Sequence, residues 1–316
     1  MARWQPKSWI RKIFLEEVRY SPKQQNISEG YSPSSVAAQE AQQELDDLEA
    51  GKSVAILPFG WPSFFIRNLC GTATQTVIHG MSSSGKTQLA LQLLLGNAIQ
   101  LYISDTPGVV AMNSLEMSRK TLIQRLASAL SGINYQPIER GDGSASDFEA
   151  LRYWTDFVGK LPIEVDDSKA ISTIEMRKHL QKLESNVGKI HMLVTDYGEL
   201  FSDDGYSRED EVSKVFRSQR DMVDEFGMAV LAISQDNYSG EELMSKFKIA
   251  GPNATRYSRS IFQACHNMIE VWNPIYMKSS GISFAVPPGK NENQVWAIIQ
   301  KMRNGDVGMD FPMNWS

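Results

Sequence analysis

A stretch of eight residues ending in Gly-Lys-Thr carries the clearest chemical signal in this sequence. It reads Gly80-Met81-Ser82-Ser83-Ser84-Gly85-Lys86-Thr87 and fits the phosphate-binding pattern G-x-x-x-x-G-K-[ST]. Its glycines let the backbone turn N–H groups toward a polyanion, while Lys86 can neutralise terminal phosphates and Thr87 can bind Mg²⁺. An apolar stretch precedes it and a helical pattern, 89–94, follows it, as the motif requires. The candidate nucleotide-binding residues are Gly80, Ser82, Ser83, Ser84, Gly85, Lys86 and Thr87, with ATP and Mg²⁺ as the expected ligands.

Three polar residues that each follow an apolar stretch are candidates for hydrolysis of that nucleotide. Asp196 ends the stretch 191–195 and is expected to be the second Mg²⁺ anchor, although it could instead cap a turn. Glu116 follows 109–113 and could orient and deprotonate water, although an isolated glutamate is usually a solvated charge. Gln235 follows 229–234, where its amide could contact the γ-phosphate or simply end a strand.

The elements that position these residues form an alternating pattern of short apolar stretches and helical segments. Such a pattern is typical of a parallel sheet with crossover helices, so residues 53–316 are expected to form one α/β domain. The predicted helix after Glu116 covers 118–130. The predicted strands are 76–79, 109–113, 191–195, 228–234, 267–272 and 295–300.

Residues 1–52 have a different character and are predicted to form a short helical extension. Apolar residues recur at helical spacing in 7–20, the stretch 22–33 is polar like a linker, and 34–50 has a narrow apolar stripe on an acidic surface. A stripe of that width suits docking against a partner surface. The alternative is a helix folded back on its own core.

Composition limits the surroundings and the partners. The sequence has no apolar run long enough for a signal peptide or a membrane span, and Cys70 and Cys265 have neither zinc nor disulfide spacing. We therefore expect buried thiols and a cytoplasmic protein without membrane contact. Because the net charge is −5, any nucleic-acid contact should be confined to a local basic patch.

The sequence Ser114-Leu115-Glu116-Met117-Ser118 and the helical pattern after it closely resemble a motif of the DnaB-type replicative helicases. Further segments match that family in order: 161–163 with 166–167, 195–197, 233–235, 260–264 and 301–305. The resemblance covers about residues 58–315 and implies a RecA-like P-loop ATPase core. It assigns polarisation of the attacking water to Glu116.

The same resemblance implies an active site shared between subunits. In this family the Lys-x-Arg-Asn-Gly segment reaches the neighbouring subunit's nucleotide, so Arg303 resembles an arginine finger and Lys301 its companion. Without the family, both would be ordinary exposed charges on an edge hairpin. Head-to-tail contacts that close form a ring, which in the family is a homo-hexamer, and the resemblance implies that the 35–50 helix docks on the next subunit.

The expected DNA contact lies after Gln235. Residues 201–212 are too acidic to bind phosphate, whereas 238–260 contain the basic and aromatic residues expected to contact single-stranded DNA: Lys246, Lys248, Arg256, Tyr257, Ser258 and Arg259. A solvated loop with scattered charges is the alternative. Family resemblance implies 5′ to 3′ movement. Primase and a loader are further candidate partners, although only about fifty residues precede the core, so primase coupling is in doubt.

Three functions compete at this point. The first is a ring-shaped helicase acting in DNA replication. The sequence departs from the family pattern at 198–199 and 265–267, which suggests that a phage or other mobile element encodes it. The second is a RecA-like recombinase or regulatory ATPase, which would form an open filament by the same contact. The third is a nucleotide-locked DNA clamp with little turnover.

Overall fold

The computed structural model describes residues 73–303 and 310–313, except for 170, 198–200, 202, 204, 237–257, 285 and 288, and it describes only the backbone of 258–260. The predicted helices in 7–20 and 34–50, the boundary at 52/53 and Cys70 lie outside these residues. Cys265 is buried, as expected.

Eight strands form a single mixed sheet in the order β3-β2-β4-β5-β1-β6-β7-β8. The strands from β3 to β6 run parallel, and β7 and β8 continue the sheet antiparallel. Their bounds are β1 Gln75–Gly80, β2 Val109–Ser114, β3 Ile163–Asp166, β4 Ile190–Asp196, β5 Ala229–Gln235, β6 Asn267–Trp272, β7 Val295–Met302 and β8 Asp310–Met313.

Helices cover both faces of this sheet, which is why the central strands are nearly continuous apolar runs. Their bounds are α1 Lys86–Ile103, α2 Arg119–Ser131, α3 Tyr135–Arg140, α4 Ala145–Val158, α5 Thr173–Val187, α6 Arg208–Phe226, α7 Ser258–Ala264 and α8 Pro274–Ser279. The apolar side chains of α1, α2 and α4 pack with alternate strand residues such as Ile78 on one face. Those of α5, α6 and α7 pack with the intervening residues such as Val77 on the other.

The sheet confirms the predicted α/β class and each of the six predicted strands, with β6 matching the predicted bounds. β3 and β8 were not predicted as strands. Each has only four residues, and β8 contains Pro312, which weakens a strand pattern. No helix within the described part of the chain is long and apolar enough to cross a membrane.

Candidate functional site

The Gly80–Thr87 loop connects the central strand β1 to α1 in a conformation that depends on glycine. Gly80 has φ +152°, and a Cβ there would lie 2.8 Å from both Ser84 Oγ and the carbonyl oxygen of Val271. Gly85 has φ +105° and starts α1 without a side-chain cap. The first turn of α1 therefore presents backbone N–H groups that no side-chain cap covers, as in phosphate-binding loops.

Polar atoms of this loop are poised for a polyanion. Lys86 Nζ donates to the carbonyl oxygens of Gly80 at 2.8 Å and Met81 at 2.6 Å, so the ammonium lies over the loop. Ser84 Oγ is buried and has no hydrogen-bond partner within the described residues. Asn273 Nδ2 donates to the Ser84 carbonyl oxygen at 3.1 Å and fixes the loop from outside. These donors fit a triphosphate.

Thr87 and Asp196 meet beside the loop, as the sequence predicts. Thr87 Oγ1 donates to Asp196 Oδ2 at 3.0 Å, and Asp196 is almost fully buried at the end of β4. The pKa of Asp196 is raised to about 6, because burial and the negative charge of Glu116 raise it by more than the Thr87 hydrogen bond and nearby positive charges lower it. A hydroxyl and a carboxylate at this distance are the oxygen ligands that Mg²⁺ prefers. Strongly perturbed carboxylates of this kind are enriched at functional sites.

Glu116 lies on the loop between β2 and α2, exposed at the same edge of the sheet. The backbone N–H of Leu115 donates to the Asp196 carbonyl oxygen at 3.0 Å, and Lys169 Nζ donates to the Leu115 carbonyl oxygen at 2.7 Å. Ser118 then caps α2 by accepting from the Thr121 N–H. The loop is thus held on both sides, close enough to Asp196 for the charge of Glu116 to raise the pKa of Asp196.

Gln235 also reaches this edge. It is directly opposite Gly80 in the parallel pairing of β5 with β1, and the next residue, Asp236, donates its N–H to the Gly80 carbonyl oxygen at 3.1 Å. The structure therefore brings Gln235 to the phosphate-binding loop, together with Lys86, Thr87, Glu116 and Asp196.

Lys301 and Arg303 lie at the other end of the strands from the phosphate-binding loop, near the residues where β1 and β6 begin. Asn267, at the start of β6, pairs with both Thr76 on β1 and Met302 on β7. Gly80 is four residues further along β1, a distance of about 13 Å along the strand. Lys301 Nζ donates to the carbonyl oxygens of Phe262 and Cys265, the latter at 2.6 Å, and so holds the end of α7. Arg303 is exposed.

The predicted DNA contacts cannot be placed. Lys246, Lys248, Arg256 and Tyr257 lie outside the described residues, as do the side chains of Ser258 and Arg259. These six residues stay predictions.

Sequence reasoning missed several residues that position this site. Lys169 and Asn273 hold backbone atoms from elements distant in the chain, and no motif marks them. Arg125 was part of the motif helix but had no assigned role; its positive charge lowers the pKa of Asp196.

Comparison with known proteins places this geometry in a family. Residues 70–315 match the model of the DnaB-like helicase C-terminal domain. The chain belongs to this family. Its RecA-like core was therefore predicted correctly, and the match covers the sheet, the phosphate-binding loop and the Glu116 loop.

Individual relatives agree with this assignment. The replicative helicase DnaB of Geobacillus stearothermophilus is 29% identical over 73% of this chain and 48% of its own length. The replicative helicase DnaC of Bacillus subtilis is 28% identical over the same shares. The chain thus spans about half the length of the curated relatives that it matches.

Solved structures show the same fold. The ATPase domain of a phage helicase superposes with a TM-score of 0.71 at 22% identity, covering 88% of this chain and 94% of that one. A DnaB-like replicative helicase, described with its interactions with primase, gives a TM-score of 0.64 at 24% identity, covering 75% of this chain and 55% of the other.

Proposed function

We propose that this protein is an ATP-dependent DNA helicase that moves along single-stranded DNA as a homo-hexameric ring during DNA replication. The observation that carries the proposal is the hydrogen bond of 3.0 Å between Thr87 and Asp196 beside a phosphate-binding loop, in a chain of the DnaB-like helicase family. The charge of Glu116, on the loop between β2 and α2, reaches the same carboxyl group. Replication is proposed as the process because the relatives are replicative DNA helicases.

ATP and Mg²⁺ are the proposed substrate and cofactor because the donor set suits them. The loop N–H groups, Ser84 Oγ and Lys86 would bind the phosphates, and Thr87 with Asp196 would hold the cation. Bound Mg²⁺ would neutralise charge on the β- and γ-phosphates. The loop backbone and Lys86 orient the substrate, and water would be aligned by Glu116.

Glu116 is proposed as the general base. It is exposed at the edge of the sheet where Asp196 is buried, so it can reach a water molecule while Asp196 remains committed to the cation. General-base catalysis contributes about 10²- to 10⁴-fold to a rate. Gln235, opposite Gly80, is proposed to contact the γ-phosphate and respond to its loss.

Arg303 and Lys301 are proposed to act on the neighbouring subunit. Both lie at the edge of the sheet away from Gly80, and so an intact site needs a second copy that presents its own Arg303. An arginine finger of this kind contributes about 10³- to 10⁵-fold to turnover. The contact is heterologous, and closure of such contacts generates a ring.

The DNA side of the proposal rests on the basic 246–259 segment, with Lys246, Lys248, Arg256, Tyr257, Ser258 and Arg259 as candidate contacts. Movement from 5′ to 3′ and docking of the 35–50 helix on the next subunit belong to the same proposal, as does the division into residues 1–52 and 53–316. Primase and a loader remain candidate partners; one structural relative is described with primase.

The proposal is tested by ATP hydrolysis with and without single-stranded DNA, with each sample sized in the presence of nucleotide. Glu116→Gln and Arg303→Ala should each abolish DNA-stimulated turnover in a hexamer, while the exposed control variants Glu139→Gln and Arg140→Ala should not. Strand displacement on forks with a 5′ or a 3′ tail then gives the direction. Low turnover that is indifferent to DNA and unchanged in Arg303→Ala would overturn the proposal in favour of a clamp or regulatory ATPase.

A further inference from the structure

A row of four polar side chains crosses four adjacent strands on the face of the sheet opposite α1. Asp236 follows β5, His79 lies on β1, Glu270 on β6 and Gln300 on β7, in the order of the strands in the sheet. His79 and Glu270 are fully buried and Asp236 is 3% exposed. Buried polar and charged groups are costly unless each is matched by a partner, so the row demands an explanation.

Hydrogen bonds join all four side chains. His79 Nδ1 is 2.8 Å from Asp236 Oδ1, and His79 Nε2 is 2.8 Å from Gln300 Oε1. Gln300 Nε2 in turn donates to Glu270 Oε2. The chain of contacts therefore runs from the end of β5 through β1 to β7 and back to β6.

The direction of these bonds determines where the protons lie. A carboxylate only accepts, so the Gln300 amide must turn its nitrogen to Glu270 and its oxygen to His79. Nε2 of His79 must then carry a proton, and so must Nδ1, because it faces Asp236. An imidazolium, which donates from both ring nitrogens, is therefore the state of His79 that satisfies both contacts.

Nearby charges support that state. Burial lowers the pKa of His79, but the carboxylates of Asp236 and Glu270 and the two hydrogen bonds outweigh it, so the pKa is raised above 6.5. Lys290 is a further charge that interacts with Glu270. Because the folded pKa is raised, the cation persists at and below pH 6.5 and is lost as the pH rises through that folded value.

Three of the four members of the row are next in sequence to a residue of the proposed machinery. Asp236 follows Gln235, and His79 precedes Gly80. Gln300 precedes Lys301, and it is the extra residue in a register shift: Met268 pairs with Lys301 while Ile269 pairs with Ile299. A bulge of this kind redirects the strand that follows it. The His79 hydrogen bond to Gln300 therefore acts on the bulge that directs Lys301 and Arg303.

We propose that His79 is a positioning residue that links the γ-phosphate-contacting end of β5 to the β7 strand that carries the finger. A shift of Gln235 on loss of phosphate would move Asp236, and the imidazolium would pass the shift to Gln300 and so to Arg303. One subunit's nucleotide state would thereby control the finger that serves the next subunit's site. The inference rests on the proposed function, since it needs a finger acting in trans.

The protonation state is tested first, by ¹⁵N NMR of the full-length protein labelled at histidine. The chain contains four histidines, so the signals that are present in the wild type and missing in His79→Gln are those of His79. We expect both ring nitrogens of His79 to be protonated at pH 6.5 and to lose a proton only at higher pH. A neutral ring at pH 6.5 would overturn the proposal.

The coupling is tested by the ratio of DNA-stimulated to basal ATP turnover. His79→Gln should lower the stimulated kcat about 5- to 150-fold, the range of typical coupling between sites, without a matching loss of affinity for a fluorescent ATP analogue. The matched control is His179→Gln. His179 is a partly exposed histidine on α5, paired with Asp166 at the end of β3, and its substitution should leave the ratio at the wild-type value. A merely structural role would lower thermal stability and affinity and leave the ratio unchanged.

A second variant keeps the test decisive if His79→Gln does not fold. Gln300→Met removes both amide contacts at a half-buried position and by itself should lower the same ratio. Where His79→Gln does fold, the double variant His79→Gln/Gln300→Met should be no worse than the more severe single variant. Additive losses would refute a common path. Wild-type protein that DNA fails to stimulate would instead refute the proposed function, independently of His79.

Discussion

Substitution of Gly80 by alanine tests how the loop geometry is built. An added Cβ would lie 2.8 Å from both Ser84 Oγ and the backbone oxygen of Val271, and φ is +152°. A disfavoured backbone conformation costs about 1–3 kcal/mol, and overpacking at a well-packed position costs about 1–3 kcal/mol. We therefore expect Gly80→Ala to lower the free energy of unfolding by about 2–6 kcal/mol, a large part of a typical 5–15 kcal/mol.

The matched control is Gly132→Ala. Gly132 has φ +70°, but nothing lies within 4 Å of its added Cβ, so only the backbone cost of about 1–2 kcal/mol applies. Urea unfolding followed by circular dichroism measures both variants, and a fluorescent ATP analogue measures nucleotide affinity. Gly80→Ala should lose nucleotide affinity as well as stability, because the contacting atom of Val271 is its backbone oxygen, which cannot move aside as a side chain could. Gly132→Ala should keep its affinity. Equal losses of stability in the two variants would refute the steric reasoning.

Three further outcomes follow from contacts of the described residues. Lys301→Met removes the ammonium that holds the end of α7 at Cys265, and urea unfolding should show a loss of about 1–3 kcal/mol, whereas an unchanged midpoint would contradict that role. His266 accepts a hydrogen bond from the Gln75 N–H, and burial lowers the pKa of His266 to about 4. As the pH drops from 6.5 toward 4, the unfolded state binds a proton before the folded state does, so the free energy of unfolding should fall. Its dependence on pH should be weaker in His266→Asn. Lys169→Met should slow ATP turnover by loosening the Glu116 loop while binding of the ATP analogue persists, and an equal loss of both would assign Lys169 a general structural role.

The phosphate-binding loop and its neighbours could be predicted from the sequence because each depends on local order. Gly80–Thr87 is a contiguous motif between a strand and a helix, and Asp196 and Gln235 end strands that are long, apolar and continuous. In a parallel sheet the ends of such strands meet at one edge, so identification of the strands predicts the cluster.

The cross-strand chemistry could not be predicted in the same way. His79 was part of a predicted strand, but its partners Asp236 and Gln300 are 157 and 221 residues away in sequence, and only the strand order brings them together. The bulge at Gln300 leaves no mark in the alternation of apolar residues. The placement of Arg303 at the far edge likewise depends on the antiparallel return of β7, which no motif encodes.

Subunit mixing tests the central claim, a nucleotide site completed by a neighbouring chain, most directly. Glu116→Gln and Arg303→Ala proteins are each inactive by expectation, but a ring containing both has interfaces where an intact Glu116 meets an intact Arg303. Random equal mixing gives that pairing at about one interface in four, so co-expressed rings should regain up to about a quarter of wild-type ATP turnover. If the two residues served the same subunit's site, the mixed rings would hydrolyse no more ATP than the two variants measured separately, and the account would be wrong.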